Sequence, residues 1–207
     1  MRSGWGIIKK AAAYEAVRAY LEKKVYTEIY TIDNYYIQQD QISSITKKHA
    51  HILQASPIIV DSLTKECEQR EVVKIMPIAS DERDKERLTE FFKPFEQRLT
   101  LHWGVHPIAL PLQFGIITAQ GVSKKSAAIV VSRSLQISLE NTLGVSDNLS
   151  DWQFIELCGF GAAMGNASDE LKKLVLSKGS EHSCVGPTVD ENGILDIFEY
   201  FFENIHP

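Results

Sequence analysis

This sequence is short of the features that mark specialised protein classes. Its 207 residues include three cysteines, Cys67, Cys158 and Cys184, far apart and in no metal-binding or redox spacing. A disulfide framework is therefore not expected, and a reducing compartment fits. No uninterrupted apolar run approaches the ~20 residues that a bilayer-crossing helix needs. The opening MRSGWGIIKK has too short an apolar stretch, and no small-residue cleavage pattern, for a secretory signal. Basic residues are outnumbered, 22 Lys and Arg against 27 Asp and Glu, giving a formal net charge of −5, and no Lys/Arg block offsets this locally. Neither nucleic acid nor a membrane surface is an expected partner. Internal repeats and low-complexity tracts are also missing. The 44% hydrophobic and 24% charged residues are ordinary globular usage. The chain is long enough for one large domain or two small ones, and a cytoplasmic location is expected.

Organisation must then come from shifts in hydrophobic period. Ala11 to Lys24 places Tyr14, Val17, Tyr20 and Leu21 on one helical face. Val25 to Ile37, VYTEIYTIDNYYI, is β-branched and aromatic with Asp33-Asn34 as a turn signal, which predicts a hairpin. Ile58 to Val60 and Val72 to Met76 read as further strands separated by a polar helical segment. From Asp84 to Leu99, apolar residues recur at helical spacing, with Pro94 kinking or restarting that helix. After about residue 118 helices alternate with short apolar strands: helix from Ser123 to Arg133, strand from Asn141 to Val145, helix from Trp152 to Cys158, strand from Phe160 to Ala163, helix from Ser168 to Leu176. A final helix, Ile194 to Asn204, would bury Ile194, Ile197, Phe198, Phe201 and Phe202 on one face. This is the grammar of an α/β layer following an α+β unit.

Three stretches hold candidate chemistry. Val145 to Asp151 places Asp147 and Asp151 in a loop that follows a strand and opens a helix, where open α/β sheets bind ligands. If that helix begins at Ser150, both carboxylates can point into one crevice and offer hard oxygens to Mg2+; Asp and Ser are equally favoured as helix N-caps. Lys124, in GVSKK at 121–125, lies at a helix start, where backbone N–H groups favour an anion, or else is solvated surface. In GAAMGNA at 161–167, small residues let a ligand approach the backbone, and Asn166 either caps the next helix or lines the site. The remaining candidates read as structural or surface. His49 and His51, and His102 and His106, imitate metal spacings, but Gly104 and Pro107 argue against a helix aligning the second pair. Cys158 falls on an apolar helix face, as a core thiol does.

In this order GVSKK, SDNLSD at 146–151 and AMGNA at 163–167 resemble the carboxyl-terminal half of haloacid-dehalogenase-like (HAD) phosphatases of the Cof type. The segment Pro187-Thr-Val-Asp-Glu-Asn-Gly-Ile-Leu195 is similar to that subgroup's closing segment. The resemblance implies a fold of class α/β. Residues 1–118 would form an α+β lid (cap) domain, and 119–207 the C-terminal part of a Rossmannoid parallel-sheet core. It implies a phosphohydrolase using Mg2+ on small phosphorylated metabolites such as sugar phosphates. Lys124, Ser150 and Asn166 would face the phosphate, Asp147 would hold Mg2+, and Asp151 would support the loop or reach the metal through water. Tyr30, Tyr35 and Tyr36 of the lid could face substrate. Three positions depart from the pattern: Ser146 and Lys125 stand where glycines are usual, and Ser150 where the family has Asn.

The family's attacking group lies in an Asp-x-Asp-Gly-Thr motif after the first core strand, and Asp-x-Asp occurs nowhere in these 207 residues. Covalent catalysis needs that nucleophile. The expectation is a chain that starts inside its lid, with impaired turnover and an open apolar sheet edge prone to self-association. Self-association and a complementing N-terminal fragment are the alternative protein partnerships. The rival expectation is an inactive module that binds phosphometabolites or another protein.

Overall fold

A computed structural model describes residues 6–205. The chain divides into two compact units, Met1–Val122 and Ser123–Pro207. Residues 1–5, at the front of the stretch read above for a secretory signal, lie outside the described residues. Among the described residues no helix is long and apolar enough to cross a membrane.

The first unit is a six-stranded sheet formed by β1 (Tyr26–Tyr30), β2 (Tyr35–Gln38), β3 (Ile58–Val60), β4 (Lys74–Ala79), β5 (Leu99–Val105) and β6 (Gln113–Ala119), in the order β3-β2-β1-β4-β6-β5. The hairpin is present: β1 and β2 pair antiparallel, and Thr31 N donates to Asn34 O at 2.9 Å across the turn. Helices α1 (Lys10–Glu22), α2 (Ser44–Leu53), α3 (Leu63–Gln69) and α4 (Glu82–Phe92) accompany the strands. Alternation along β1 sends Ile29 to one core with Ala13, Ala16, Val17 and Tyr20 of α1, and Tyr26 to a second core beside Ile45 and Ile52 of α2.

Three sequence expectations are corrected here. The helix read through to Leu99 stops at Phe92, passes through a 3-10 turn at Lys93–Phe95, and gives way to β5, whose first residue is Leu99. Pro94 cannot donate to a continuing helix, so Leu99 reaches the core from a strand. The strand read at Val72 to Met76 runs instead over Lys74–Ala79, through Pro77. That proline fits mid-sheet because Gly115 stands beside it; a Cβ there would lie 2.9 Å from the Pro77 ring. Strands β5 and β6 carry no continuous strand signature, because Gly104 and Gly115 interrupt the pattern, although seven residue pairs join them, from Leu99 with Ala119 to Val105 with Gln113. Tyr35 and Tyr36, two of the three tyrosines expected to be able to face substrate, are buried in the sheet's own packing.

The second unit has three parallel strands, β7 (Leu143–Ser146), β8 (Phe160–Ala163) and β9 (Ser183–Val185), in the order β7-β8-β9. Helices α5 (Lys124–Leu135), α6 (Trp152–Ile155), α7 (Asp169–Leu176) and α8 (Gly193–Ile205) complete it. One core layer joins Ala163 to Ile155, Leu171 and Val175, and the opposite layer joins Ala162 to Ile197 and Phe201. The buried face of α8 is narrower than its sequence implies. Ile197 and Phe201 are 1% and 4% exposed, whereas Ile194, Phe198 and Phe202 remain exposed. Three strands give too narrow a layer to cover a five-residue apolar stripe. Helix α6 closes after one turn, short of Cys158.

The chain leaves α6 through Gly159, whose backbone N–H donates to Leu139 O at 2.8 Å. A Cβ at Gly159 would sit 1.7 Å from the carbonyl oxygen of Glu140. Gly159→Ala is therefore expected to destabilise the protein by about 2 kcal/mol or more, because backbone rather than a flexible side chain must shift. A urea unfolding midpoint equal to that of the parent would contradict this.

Candidate functional site

The carboxyl ends of β7 and β8 gather the residues singled out in the sequence. Ser146, the last residue of β7, donates its hydroxyl proton to Asp151 Oδ2 at 2.7 Å and accepts from Asn148 N at 3.0 Å. Asn148 Oδ1 in turn accepts from Ser150 N at 3.0 Å and from Ser150 Oγ at 2.9 Å. These bonds wind residues Leu149–Asp151 into a 3-10 turn that aims Asp151 inward, leaving its side chain only 8% exposed. The cap of this turn is Asn148, not one of the aspartates.

A carboxylate so far out of water needs a counter-charge. Lys124 supplies it: its Nζ lies 2.6 Å from each oxygen of Asp151, while the lysine side chain is 71% exposed. Lys124 is the first residue of α5, behind a capping box in which Ser126 N donates to Ser123 Oγ at 3.0 Å and Ser123 N to Ser126 Oγ at 2.8 Å. Gly121, at φ +79°, turns the chain into that helix. The result is an ammonium fixed from behind by a buried anion and open in front to solvent. An ammonium has three N–H donors, so those not engaged by Asp151 are available to an incoming oxyanion.

Asp147 and Asn166 form a second cluster. Asn166 Nδ2 donates to Asp147 Oδ2 at 3.2 Å, and its Oδ1 accepts from Val189 N at 3.2 Å, so Asn166 ties together the loops that follow β7, β8 and β9. Capping of α7 falls to Ser168, which accepts from Leu171 N at 3.3 Å. Gly165 lets the β8 loop lie against its neighbour: its N–H donates to Pro187 O at 2.8 Å, and a Cβ there would meet the Pro187 carbonyl carbon at 2.7 Å. Lys172 was not picked out from the sequence, yet its Nζ donates to Gly165 O at 2.7 Å and clamps the loop. Its legible signal was a lysine one turn into the helix after AMGNA. Ser150, expected to face a ligand, gives its hydroxyl proton to Asn148 and serves the turn.

Mg2+ requires more free oxygen donors than this loop offers. Both oxygens of Asp151 are held by Lys124, and one also by Ser146. Asp147 is the carboxylate of this loop with an oxygen to spare. Among the described residues no three His, Cys, Asp or Glu side chains converge on a metal position. Mg2+ demands octahedral oxygen ligation, so these residues alone do not make up its site.

His49, His106 and Cys158 have structural partners. His49 is buried with Nδ1 2.9 Å from Glu28 Oε1, and His106 Nδ1 accepts from Ile108 N at 3.3 Å. Cys158 is buried and donates to Phe154 O at 3.3 Å. Burial pushes the Cys67 thiol up to about 12 and the Cys184 thiol up to about 11, far from thiolate chemistry at neutral pH.

A family model described as haloacid dehalogenase-like hydrolase matches residues 6–198. Phosphatase YwpJ of Bacillus subtilis is 31% identical over 84 residues, which is 41% of this chain and 27% of that protein. Among solved structures, TM0651 from Thermotoga maritima superposes with a TM-score of 0.78 at 18% identity, over 94% of this chain and 67% of that one. A sugar phosphatase of HAD subclass IIB, BT4131, gives a TM-score of 0.66 at 21% identity, again over 94% and 67%. The match thus spans about a quarter of the curated relative and two thirds of the structural ones. The structural likenesses establish a shared α/β fold.

Ser146→Ala removes the hydroxyl that bonds the buried carboxylate. It is expected to destabilise the protein by about 1.5–3 kcal/mol, the range for hydrogen bonds to charged groups. Chemical denaturation measures this, and an unchanged midpoint would show that Ser146 does not hold Asp151.

Proposed function

Because the chain belongs to the haloacid dehalogenase-like hydrolases, we propose that it carries the phosphate-holding part of a phosphohydrolase acting on small phosphorylated metabolites, sugar phosphates among them. The observation that carries this reading is the exposed Lys124 ammonium held 2.6 Å from the buried Asp151 carboxylate. Phosphoryl transfer is catalysed mainly by positioning and by neutralising charge on the phosphoryl oxygens. Lys124 neutralises that charge. Asp151 and Ser146 are positioning residues that keep the ammonium in place without an entropy cost at binding. Asp147, oriented by Asn166, is the carboxylate proposed for Mg2+, the ion typical of this family, whose remaining ligands the described residues do not supply.

Hydrolysis by this route also needs an attacking carboxylate. Asp-x-Asp does not occur in the 207 residues, so the chain by itself is proposed to bind a phosphoryl group without rapid turnover. A polypeptide carrying that pair, supplied in trans, would restore turnover. The same observation favours the second reading, an inactive module that binds phosphometabolites.

Amide resonances resolve the question residue by residue. Titration with inorganic phosphate is expected to shift the signals of residues 123–126 and 147–151, and Lys124→Ala to abolish those shifts. Signals in these segments that stay unmoved in the parent protein would overturn the proposal. Hydrolysis of an aryl phosphate in Mg2+ by the chain alone, lost in Asp147→Ala, would show that another carboxylate attacks and exclude the inactive module.

A further inference from the structure

The sheet of the first unit ends in a polar row on one of its faces. Directly opposed residues share a face. Tyr30 is paired with Tyr35 on β2 and with Lys74 on β4, and Thr118 on β6 with Thr100 on β5. Continuing the Ile75–Ile117 register by one residue sets Lys74 opposite Thr118. Tyr35, Tyr30, Lys74, Thr118 and Thr100 therefore lie side by side across five strands. The same face continues into the apolar residues Met76, Ile78 and Phe114, which pack with Ile45 and Ile52 of α2.

The tyrosines of the row have partners. Their rings stack at 5.3 Å, Tyr30 Oη donates to Glu28 Oε2 at 2.6 Å, and Tyr35 Oη to Ala55 O at 2.9 Å. Glu28 is itself occupied by Tyr30 and His49. Lys74 and Thr118 are different. The Lys74 ammonium sits 3.6 Å from the centre of the Tyr30 ring, and among the described residues it has neither a hydrogen-bond acceptor nor a carboxylate within ion-pair distance. The Thr118 hydroxyl is buried with no partner. Burial lowers the Lys74 ammonium from its ordinary value, against the opposing pull of Glu28. Two donors on neighbouring strands, one cationic and half-buried, thus share one deficiency: an acceptor. Leaving such groups unpaired costs stability.

We propose that Lys74 and Thr118 form an oxyanion-binding site on the sheet of the first unit, taking a phosphate or carboxylate group of a small metabolite. Cβ atoms directly opposed across an antiparallel pair are about 4.5–5.5 Å apart, so one phosphate or carboxylate can bridge the two donors. The Tyr30 ring occupies one side of the ammonium, and the N–H groups not turned toward the ring are available to an incoming anion. No residue of this site belongs to the Lys124 cluster, and the proposal stands apart from the phosphohydrolase reading.

The test uses the full chain carrying Lys124→Ala, so that phosphate at the other cluster does not contribute. Inorganic phosphate and acetate are titrated separately while the amide resonances of Lys74 and Thr118 are followed. Both signals are expected to shift with phosphate, and Lys74→Met and Thr118→Val each to weaken that response at least tenfold. A shift with acetate as well identifies a site that accepts carboxylates; a shift with phosphate alone identifies one that reads a phosphoryl group. Either supports the proposal, and no shift with either anion overturns it. Thermal melting adds a second readout at low ionic strength. Without added anion, Lys74→Met should melt no lower than its parent, and phosphate should raise the melting temperature of the parent only. A Lys74→Met protein that melts well below its parent in the absence of anion would show that the ammonium is already satisfied within the fold, and would also overturn the proposal.

Discussion

A carboxylate taken out of water must be neutralised where it sits, and at Asp151 that requirement organises the loops at the edge of the parallel sheet. Its two oxygens are held by one lysine and one serine. The serine ends β7, the lysine begins α5, and the turn that delivers the carboxylate is closed by Asn148 and Ser150. A strand end, a helix start and a 3-10 turn are thereby fixed to one another through a single ion pair. Because the lysine is exposed and the aspartate is not, the pair presents positive charge to solvent. That asymmetry gives a structural salt bridge the character of an anion-receiving group.

The first unit follows the same rule with another solution. Glu28 is fully buried within the sheet, and Tyr30 and His49 enclose its carboxylate, with the His49 ring 4.9 Å from that of Phe114. Here every group is turned inward, so the network ties α2 to β1 and offers nothing to solvent. Lys74, on the same face and without such an enclosure, is where the compensation is incomplete. Satisfied and unsatisfied polar groups thus lie within a few residues of each other on one sheet.

Much of the architecture was legible in the chain. The hairpin was written in VYTEIYTIDNYYI, and α1, α5 and α7 in their apolar spacing. Of the three short stretches at 121–125, 146–151 and 161–167, the first two meet through Lys124 and Asp151, and the last two through Asp147 and Asn166. Less legible were β5 and β6, whose glycines break the strand pattern although their pairing is continuous. Pro77 cannot donate to the ladder, and its place within β4 goes with Gly115 standing beside it. The stripe on α8 showed five candidates for burial, and the width of a three-stranded layer admitted fewer.

Features settled within a few residues follow from local sequence. Ser123 and Ser168 cap the helices they precede, Gly121 turns the chain into α5, and the loops carrying Lys124, Asp147 and Asn166 fall at element ends. Caps and turns satisfy their hydrogen bonds locally, so local composition suffices to specify them. The pairing of Asp151 with Lys124, 27 residues away, the orientation of Asp147 by Asn166 and the placing of Lys74 opposite Thr118 arise from long-range packing. Those outcomes depend on which strands pair and in which register. Register is fixed by burial over the whole sheet and is written in no single stretch of the chain.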